Sequence, residues 1–447
     1  MNARWFGGGM VLPQVVLLGR PRSLFRLAGY VGLAASIALA LQLVAFRGAP
    51  TWPMLVVAVV AIVTFLALAM ATKVITGTES LTLYHHLIAV LALSALTLWL
   101  LGQPILVYLD ATVLGVGLFI AFGRVGCLSA GCCHGRPWAR GVRYRDEHAA
   151  AGFPRHMVGV PLFPIQAIEA ASLVVIVTVG AVLVARGAAP GAALLWYLSA
   201  YAIERFLLEF ARGDPPRPYL WGFSEAQWTS LALSWGVAGA GLTGILPGQF
   251  WPLVGALGTT ITTGVVAMWR RSAHGAWSKL LTARHIDEVA RALTELKEAG
   301  AGPMRTARPA DIELVRTSLG ILISSDIGSP GGTPYYALSR LRPPLSPAEA
   351  RALAHLVMRL RHSGAPLDLG EGGAGVWHLN FGSAATAVHR NQAGGNVHLP
   401  PPRMISGRKE TEFGTDPLTD QPMGGYDSEG RRRRIRHQGR GSGRPIG

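Results

Sequence analysis

The sequence predicts an all-α polytopic membrane protein of about seven to eight transmembrane helices, followed by a small soluble α+β domain and a disordered basic tail. Three observations carry this. Half of the 447 residues are hydrophobic and 15% charged, and the apolar residues gather in long blocks between Leu27 and Trp269. From Arg270 and Arg271 onward charges return every few residues and the long apolar blocks stop. From Gly364 glycine, proline and scattered charge dominate, with too few large apolar residues to offset the entropy of folding. The boundaries that follow are an N-terminal segment 1–26, a membrane region 27–270, a soluble domain 271–363 and a tail 364–447.

Eight blocks are long enough to cross a hydrocarbon core: 27–46, 52–72, 81–101, 105–128, 164–186, 191–211, 226–246 and 251–269. The eighth is diluted by Gly255, Gly258 and the threonines between 259 and 263. The apolar run Met10–Leu18 is broken by Pro13 and followed by Arg20, Arg22 and Arg26, which is not the charge order of a secretory signal, so it is expected to be retained.

In the soluble region His285, Ile286, Val289, Leu293 and Leu296 have helical spacing, and Gly300 stops the run, giving an amphipathic helix over 284–298. Leu314–Ile323 and Tyr335–Leu341 are β-prone, and Gly328, Pro330, Gly331 and Gly332 separate them as a loop. Ser346, Pro347 and Glu349 form a capping box with proline at the first helical position, ahead of an apolar-periodic run to Arg361.

The three cysteines, Cys127, Cys132 and Cys133, fall within seven residues, which excludes a general disulfide framework. The net charge of +16 does not argue for nucleic acid, because Arg431–Arg434, Arg436, Arg440 and Arg444 supply seven charges from one Gly-rich tail. In a membrane protein such a tail meets anionic headgroups.

Ionisable residues are costly in a bilayer and mark packing anchors or sites. Tyr201, Arg205, Glu209 and Arg212 lie at i, i+4, i+8 and i+11, one stripe of the sixth helix, with Glu204 beside it. A buried ladder pinning helices together would use the same pattern. An arginine pair offered to an anionic headgroup is the functional reading, since the guanidinium fork donates two parallel hydrogen bonds to phosphate oxygens. Gln166 and Glu169 start the fifth helix, His85 and His86 start the third, and Asp110 reads as a packing anchor.

The densest segment runs from Gly123 through Arg124, Gly126, Cys127, Gly131, Cys132, Cys133, His134, Gly135 and Arg136 to Trp138. It resembles the signature loop of the prolipoprotein diacylglyceryl transferase family, which begins Gly-Arg-x-Gly and ends Gly-Arg. Pro164, Gln166 and Glu169 resemble that family's Pro-x-Gln-x-x-Glu element, and Tyr201 with Arg205 its Tyr-x-x-x-Arg element. Phe210, Arg212 and Asp214 resemble part of Glu-Phe-x-Arg-x-x-Asp, while Gln227 and Ser230 resemble a later Gln-x-x-Ser. The resemblance covers about residues 27–246. Cys127 and Cys132 stand where the family usually has Asn and Glu, and Phe163 where it has histidine.

The resemblance implies transfer of the diacylglyceryl group of phosphatidylglycerol to the lipobox cysteine of a preprolipoprotein, with release of glycerol phosphate, at the bacterial inner membrane. It implies no cofactor. Arg124 and Arg205 would hold the phosphate and His85 would be the base. Tyr201, Gln166, Glu169, Gly126, Gly135, Arg136, Glu209 and Arg212 would shape the substrate cavity. Two alternatives stand beside it: thiol or metal chemistry at Cys127, Cys132 and Cys133, and a non-catalytic lipid-binding relative. The C-x4-C-C-H spacing is not a standard zinc framework, so no metal is expected. Because the basic loops carry the arginines implied in the site, loop charge does not fix the orientation of the chain.

Overall fold

A computed structural model describes residues 11–17, 19–76, 83–214, 219–300, 314–326, 334–362, 365 and 367–381. The readings placed on the Gly328–Gly332 loop and on the arginine-rich tail lie outside these residues.

The chain enters as an antiparallel hairpin, β1 (Gln14–Leu17) with β2 (Arg20–Ser23), and turns into α1 (Leu24–Phe46). Then come α2 (Trp52–Thr76), α3 (Leu83–Leu100) and α4 (Ile105–Ala130). The segment after α4 folds as β3 (Pro137–Arg143), the short α5 (Asp146–Ala150) and β4 (Pro161–Leu162), which pairs antiparallel with β3. Next are α6 (Ile165–Ala185) and α7 (Ala192–Leu208), a hairpin of β5 (Tyr219–Leu220) and β6 (Phe223–Ser224), then α8 (Glu225–Leu242) and α9 (Trp251–Arg271).

Five of these helices, α1, α2, α4, α6 and α9, are long and apolar enough to cross a membrane, and α3 is a shorter apolar helix. On α2, Val59, Val63, Leu66, Met70 and Val74 form an exposed apolar stripe, each about 60% accessible or more. Such a stripe is unfavourable in water and suits lipid. The centre is α4, buried on every side from Tyr108 to Gly115 and packed against α1 and α6. The chain is a multi-pass membrane protein.

Asp110 is the packing anchor that its position suggested. Its carboxylate accepts the backbone N–H groups of Gly191 (2.9 Å) and Leu194 (2.8 Å), satisfying donors that the first turn of α7 leaves unpaired. Asp110→Ala is expected to lower stability by about 1–2 kcal/mol and Asp110→Asn by less, measured by thermal unfolding in detergent.

The region after α9 contains α10 (Ala283–Gly300), β7 (Leu314–Arg316), β8 (Ile321–Asp326), β9 (Tyr335–Arg340), α11 (Pro347–Arg361), β10 (Leu367–Glu371) and β11 (Trp377–Phe381). Ser346 caps α11 with the expected capping box to Glu349. Two expectations change. The run 314–323 is two strands, because the chain reverses at Gly320, whose φ is +74°. The domain also passes its expected boundary at 363: β10 and β11 complete an antiparallel sheet in the order β10-β11-β9-β8-β7. Trp377, Leu379 and Phe381 alternate into its core, which draws this Gly-rich stretch out of the tail.

That core is continuous with the loop between α4 and α6. Ile286, Val289, Leu353, Val357 and Leu338 share one buried cluster with Val142, Tyr144, Phe153, Met157 and Leu162. His156 Nε2 meets Asp287 Oδ1 at 2.5 Å, and Arg361 donates to the His156 and Ala290 carbonyls. The strand-containing C-terminal region is thereby seated on the segment that carries the Gly/Cys motif.

His285 is buried between the Leu280 carbonyl (2.7 Å from Nδ1) and the Thr317 hydroxyl (3.0 Å from Nε2), and burial holds its pKa below the ordinary imidazole range. His148, His362 and His378 are drawn down first by burial as well. A lowered histidine pKa means that the unfolded chain protonates first as pH falls through about 6.5, so stability is intact above that value and lost below it. Hydrogen exchange of β8 and β9 should be faster relative to the intrinsic rate at pH 5.5 than at 7.5, and His285→Gln should flatten the difference.

Candidate functional site

Arg124 lies in the last turns of α4 and Glu169 in the second turn of α6, and the crossing of these helices brings Arg124 Nε to 2.9 Å from Glu169 Oε2. Glu169 is 1% exposed. From the end of α7, Arg205 Nη2 reaches Glu209 Oε2 at 2.7 Å. The stripe of four does not stay on one helix. After Leu208 the chain tightens into a 3₁₀ turn, Glu209–Ala211, and Arg212 is extended. That change swings Arg212 toward α6, with Nη1 3.9 Å from Glu169 Oε2, while Asp214 accepts two bonds from the same guanidinium at 3.0 and 3.2 Å.

Three guanidiniums, of Arg124, Arg205 and Arg212, and two further carboxylates, of Glu209 and Asp214, thus gather around Glu169, a balanced set of three charges of each sign in which the ion pairs alone attract no further anion. The donors left over matter more. Arg205 Nη1, Arg212 Nη1 and the Tyr201 hydroxyl are buried with no hydrogen-bond partner among the described residues. Groups of this kind are costly unless a ligand takes their bonds. Tyr201 stacks on Tyr197, 5.7 Å away, whose hydroxyl is also unpartnered among the described residues.

The Gly-Arg end of the motif closes the site by backbone. Gly135 donates to the Phe163 carbonyl, Arg136 to Ala211, Phe163 to Arg136 and Gly213 to His134. A Cβ on Gly135 would lie 2.4 Å from the Phe163 oxygen, so only glycine permits this approach. Arg136 Nε donates to the Arg212 carbonyl (3.2 Å), and burial, helped by the Arg270 charge, draws its pKa below the ordinary guanidinium range. A cavity of about 500 Å³ opens from Arg136 and Pro137 toward α11, where Arg351, His355 and Arg359 line it.

Gln166 serves the thiol loop: its Nε2 donates to the Cys132 carbonyl (2.8 Å) and the Tyr144 hydroxyl (3.4 Å). Cys127 and Cys133 are half-buried and Cys132 is exposed. Hydrogen bonds from the Cys127 and Cys132 thiols hold Cys133 well below the ordinary thiol range, with Arg212 and Arg124 adding to them.

The structure therefore gathers Arg124, Gln166, Glu169, Tyr201, Arg205, Glu209, Arg212, Gly135, Arg136 and the three cysteines. It does not bring in Gly126, whose Cβ position faces Phe25 on α1, nor His85, which is exposed and pairs with Glu225 at 3.2 Å. His86 is buried against the Phe65 ring. The α3 residue that reaches the cluster is Tyr84, which sequence reasoning missed: its hydroxyl bonds Ser230 at 2.6 Å and its ring lies 6.0 Å from Tyr201. The only signal for it was its position next to the histidines.

Comparison with known proteins agrees with the motifs. Residues 55–242 match the family model described as prolipoprotein diacylglyceryl transferase. The chain is 34% identical over 111 residues to phosphatidylglycerol–prolipoprotein diacylglyceryl transferase 2 of Clostridium perfringens (strain 13 / Type A), covering 24% of this chain and 40% of that protein. It is 34% identical over 127 residues to phosphatidylglycerol–prolipoprotein diacylglyceryl transferase of Dehalococcoides mccartyi (strain CBDB1), covering 28% of this chain and 46% of that protein. The chain spans less than half the length of these relatives. The family resemblance read from the motifs therefore holds for residues 55–242, which carry the prolipoprotein diacylglyceryl transferase family model.

Proposed function

We propose that this protein moves the diacylglyceryl group of phosphatidylglycerol onto the cysteine thiol of a lipobox peptide in the bacterial inner membrane, releasing glycerol phosphate. In this reading α3, α7 and α8 cross the bilayer with the five longer helices, giving eight spans. The single observation that carries the proposal is the set of buried donors without a hydrogen-bond partner among the described residues, Arg205 Nη1, Arg212 Nη1 and Tyr201 OH, beside the Arg124–Glu169 pair. They offer directed hydrogen bonds to a phosphodiester whose charge grows as it leaves.

The chemistry balances as a displacement. The peptide sulfur forms a bond to the glyceryl carbon as that carbon's bond to the phosphate oxygen breaks, and the phosphate departs as glycerol phosphate. Arg124, Arg205 and Arg212 stabilise the departing charge. The thiol proton leaves to solvent water, because His85, the base that the resemblance implied, is exposed and pairs with Glu225 at 3.2 Å, away from the cluster.

Purified protein in detergent, given phosphatidylglycerol and a lipobox peptide, should add a diacylglyceryl mass to the peptide, and Arg205→Ala should abolish the addition. The charge balance around Glu169 favours one second reading, a lipid-binding relative without transfer. An unmodified peptide with phosphatidylglycerol retained on the protein would select it.

A further inference from the structure

Three thiols converge where α4 ends. The Sγ atoms of Cys127, Cys132 and Cys133 all lie within 4.8 Å of one another, and none is in a disulfide. Linear spacing argues against this, because adjacent cysteines in an extended chain point apart. The backbone overcomes it with two left-handed residues. Gly131 has φ +81° and closes the helix by donating to the Cys127 carbonyl at 2.9 Å. Cys133 has φ +54°, a left-handed conformation that is strained for a residue with a side chain. The loop holds that strain at a position where glycine or asparagine would relieve it, and the Gln166 bond to the Cys132 carbonyl pins it.

We propose that Cys127, Cys132 and Cys133 form a binding site for one Cu(I) ion with three thiolate ligands. Three sulfurs held at a metal–sulfur distance of about 2.3 Å sit about 4 Å apart, so side-chain rotation alone closes the observed spread. Soft thiolates select Cu(I) or zinc. Zinc takes four ligands in a structural site, and the neighbouring His134 is turned aside, with Nδ1 3.0 Å from the Gly135 carbonyl and its ring packed edge-on to Phe153. Three sulfurs without a fourth ligating side chain among the described residues match three-coordinate Cu(I). Each thiol gives its proton to solvent as its sulfur–copper bond forms, and the copper stays Cu(I). The resulting negative charge is met by Arg124 and Arg212, whose fields act on Cys133. Exposed Cys132 provides the way in. An occupied site would fix the loop leading to Gly135 and Arg136, so the ion would act on the site's geometry and not in the transfer step.

The test is metal binding, independent of transferase activity. Full-length reduced protein is titrated anaerobically with Cu(I) against a chromogenic Cu(I) chelator, and in parallel with zinc(II). Wild type should take one equivalent of Cu(I), with three sulfurs around copper by X-ray absorption. Cys132→Ser should weaken binding by more than about 100-fold, beyond the ~10–100-fold expected of a residue that only orients a ligand. The Cys127→Ser/Cys132→Ser/Cys133→Ser variant should take none. Wild type that takes no Cu(I), Cys132→Ser that binds as wild type, or uptake of zinc in preference to Cu(I) would each overturn the proposal. Because Cys132 is exposed, its single variant decides the matter even if the triple variant fails to fold.

Discussion

Arg124→Ala is expected to lower diacylglyceryl transfer by about 100- to 1000-fold, the loss found when one preorganised donor to a developing oxyanion is removed. It should also destabilise the bundle. Arg124 Nε is 2.9 Å from Glu169 Oε2, and Glu169 is buried at the crossing of α4 and α6. Removing one partner of a buried pair leaves the other charged and unsolvated, at a cost of about 3–5 kcal/mol. Two measurements separate the effects: the melting temperature in detergent, and the initial rate on the monodisperse fraction. Arg124→Lys should retain more stability than alanine, because an ammonium still opposes Glu169, yet remain slow, because it lacks the planar fork.

Gly135→Ala should have an effect of similar size by a different route. The added methyl would stand 2.4 Å from the Phe163 backbone oxygen, and a backbone atom cannot rotate away. The same place carries the bonds from Gly135 to Phe163, from Phe163 to Arg136 and from Gly213 to His134. Relief of the clash must break that network and displace Arg136 and Arg212 together. The expected cost is about 3 kcal/mol or more, with transfer lost while far-ultraviolet circular dichroism stays helical. Gly29→Ala is the control: on α1 its Cβ would meet nothing within 4 Å, and it should be neutral or stabilising by up to about 1 kcal/mol.

Much of the fold was legible because its signals are local. Long apolar blocks show without tertiary knowledge, and so do the capping box at Ser346 and the helical period of α10. The arginine and glutamate stripe was legible because charge in an apolar helix has few uses. What the sequence hid depends on residues far apart or on single dihedral angles. Tyr84 looks like any aromatic residue in an apolar run; its partner Ser230 is 146 residues away. His85 resembled the site's base, yet the 100° step from Tyr84 carries it to the exposed side of α3. The strands β10 and β11 were masked by glycine and charge, although every second residue of β11 enters the core. The meeting of the three thiols rests on the positive φ of Cys133, which spacing does not encode.

The coupling of the two products tests the proposed function most directly. Wild-type protein is incubated with phosphatidylglycerol and either a lipobox peptide or its Cys→Ser analogue, and glycerol phosphate and modified peptide are counted in the same sample. The account predicts equimolar glycerol phosphate and diacylglyceryl peptide with the cysteine peptide, and neither with the serine analogue. Glycerol phosphate released without a thiol acceptor, or neither product under any condition, would contradict it.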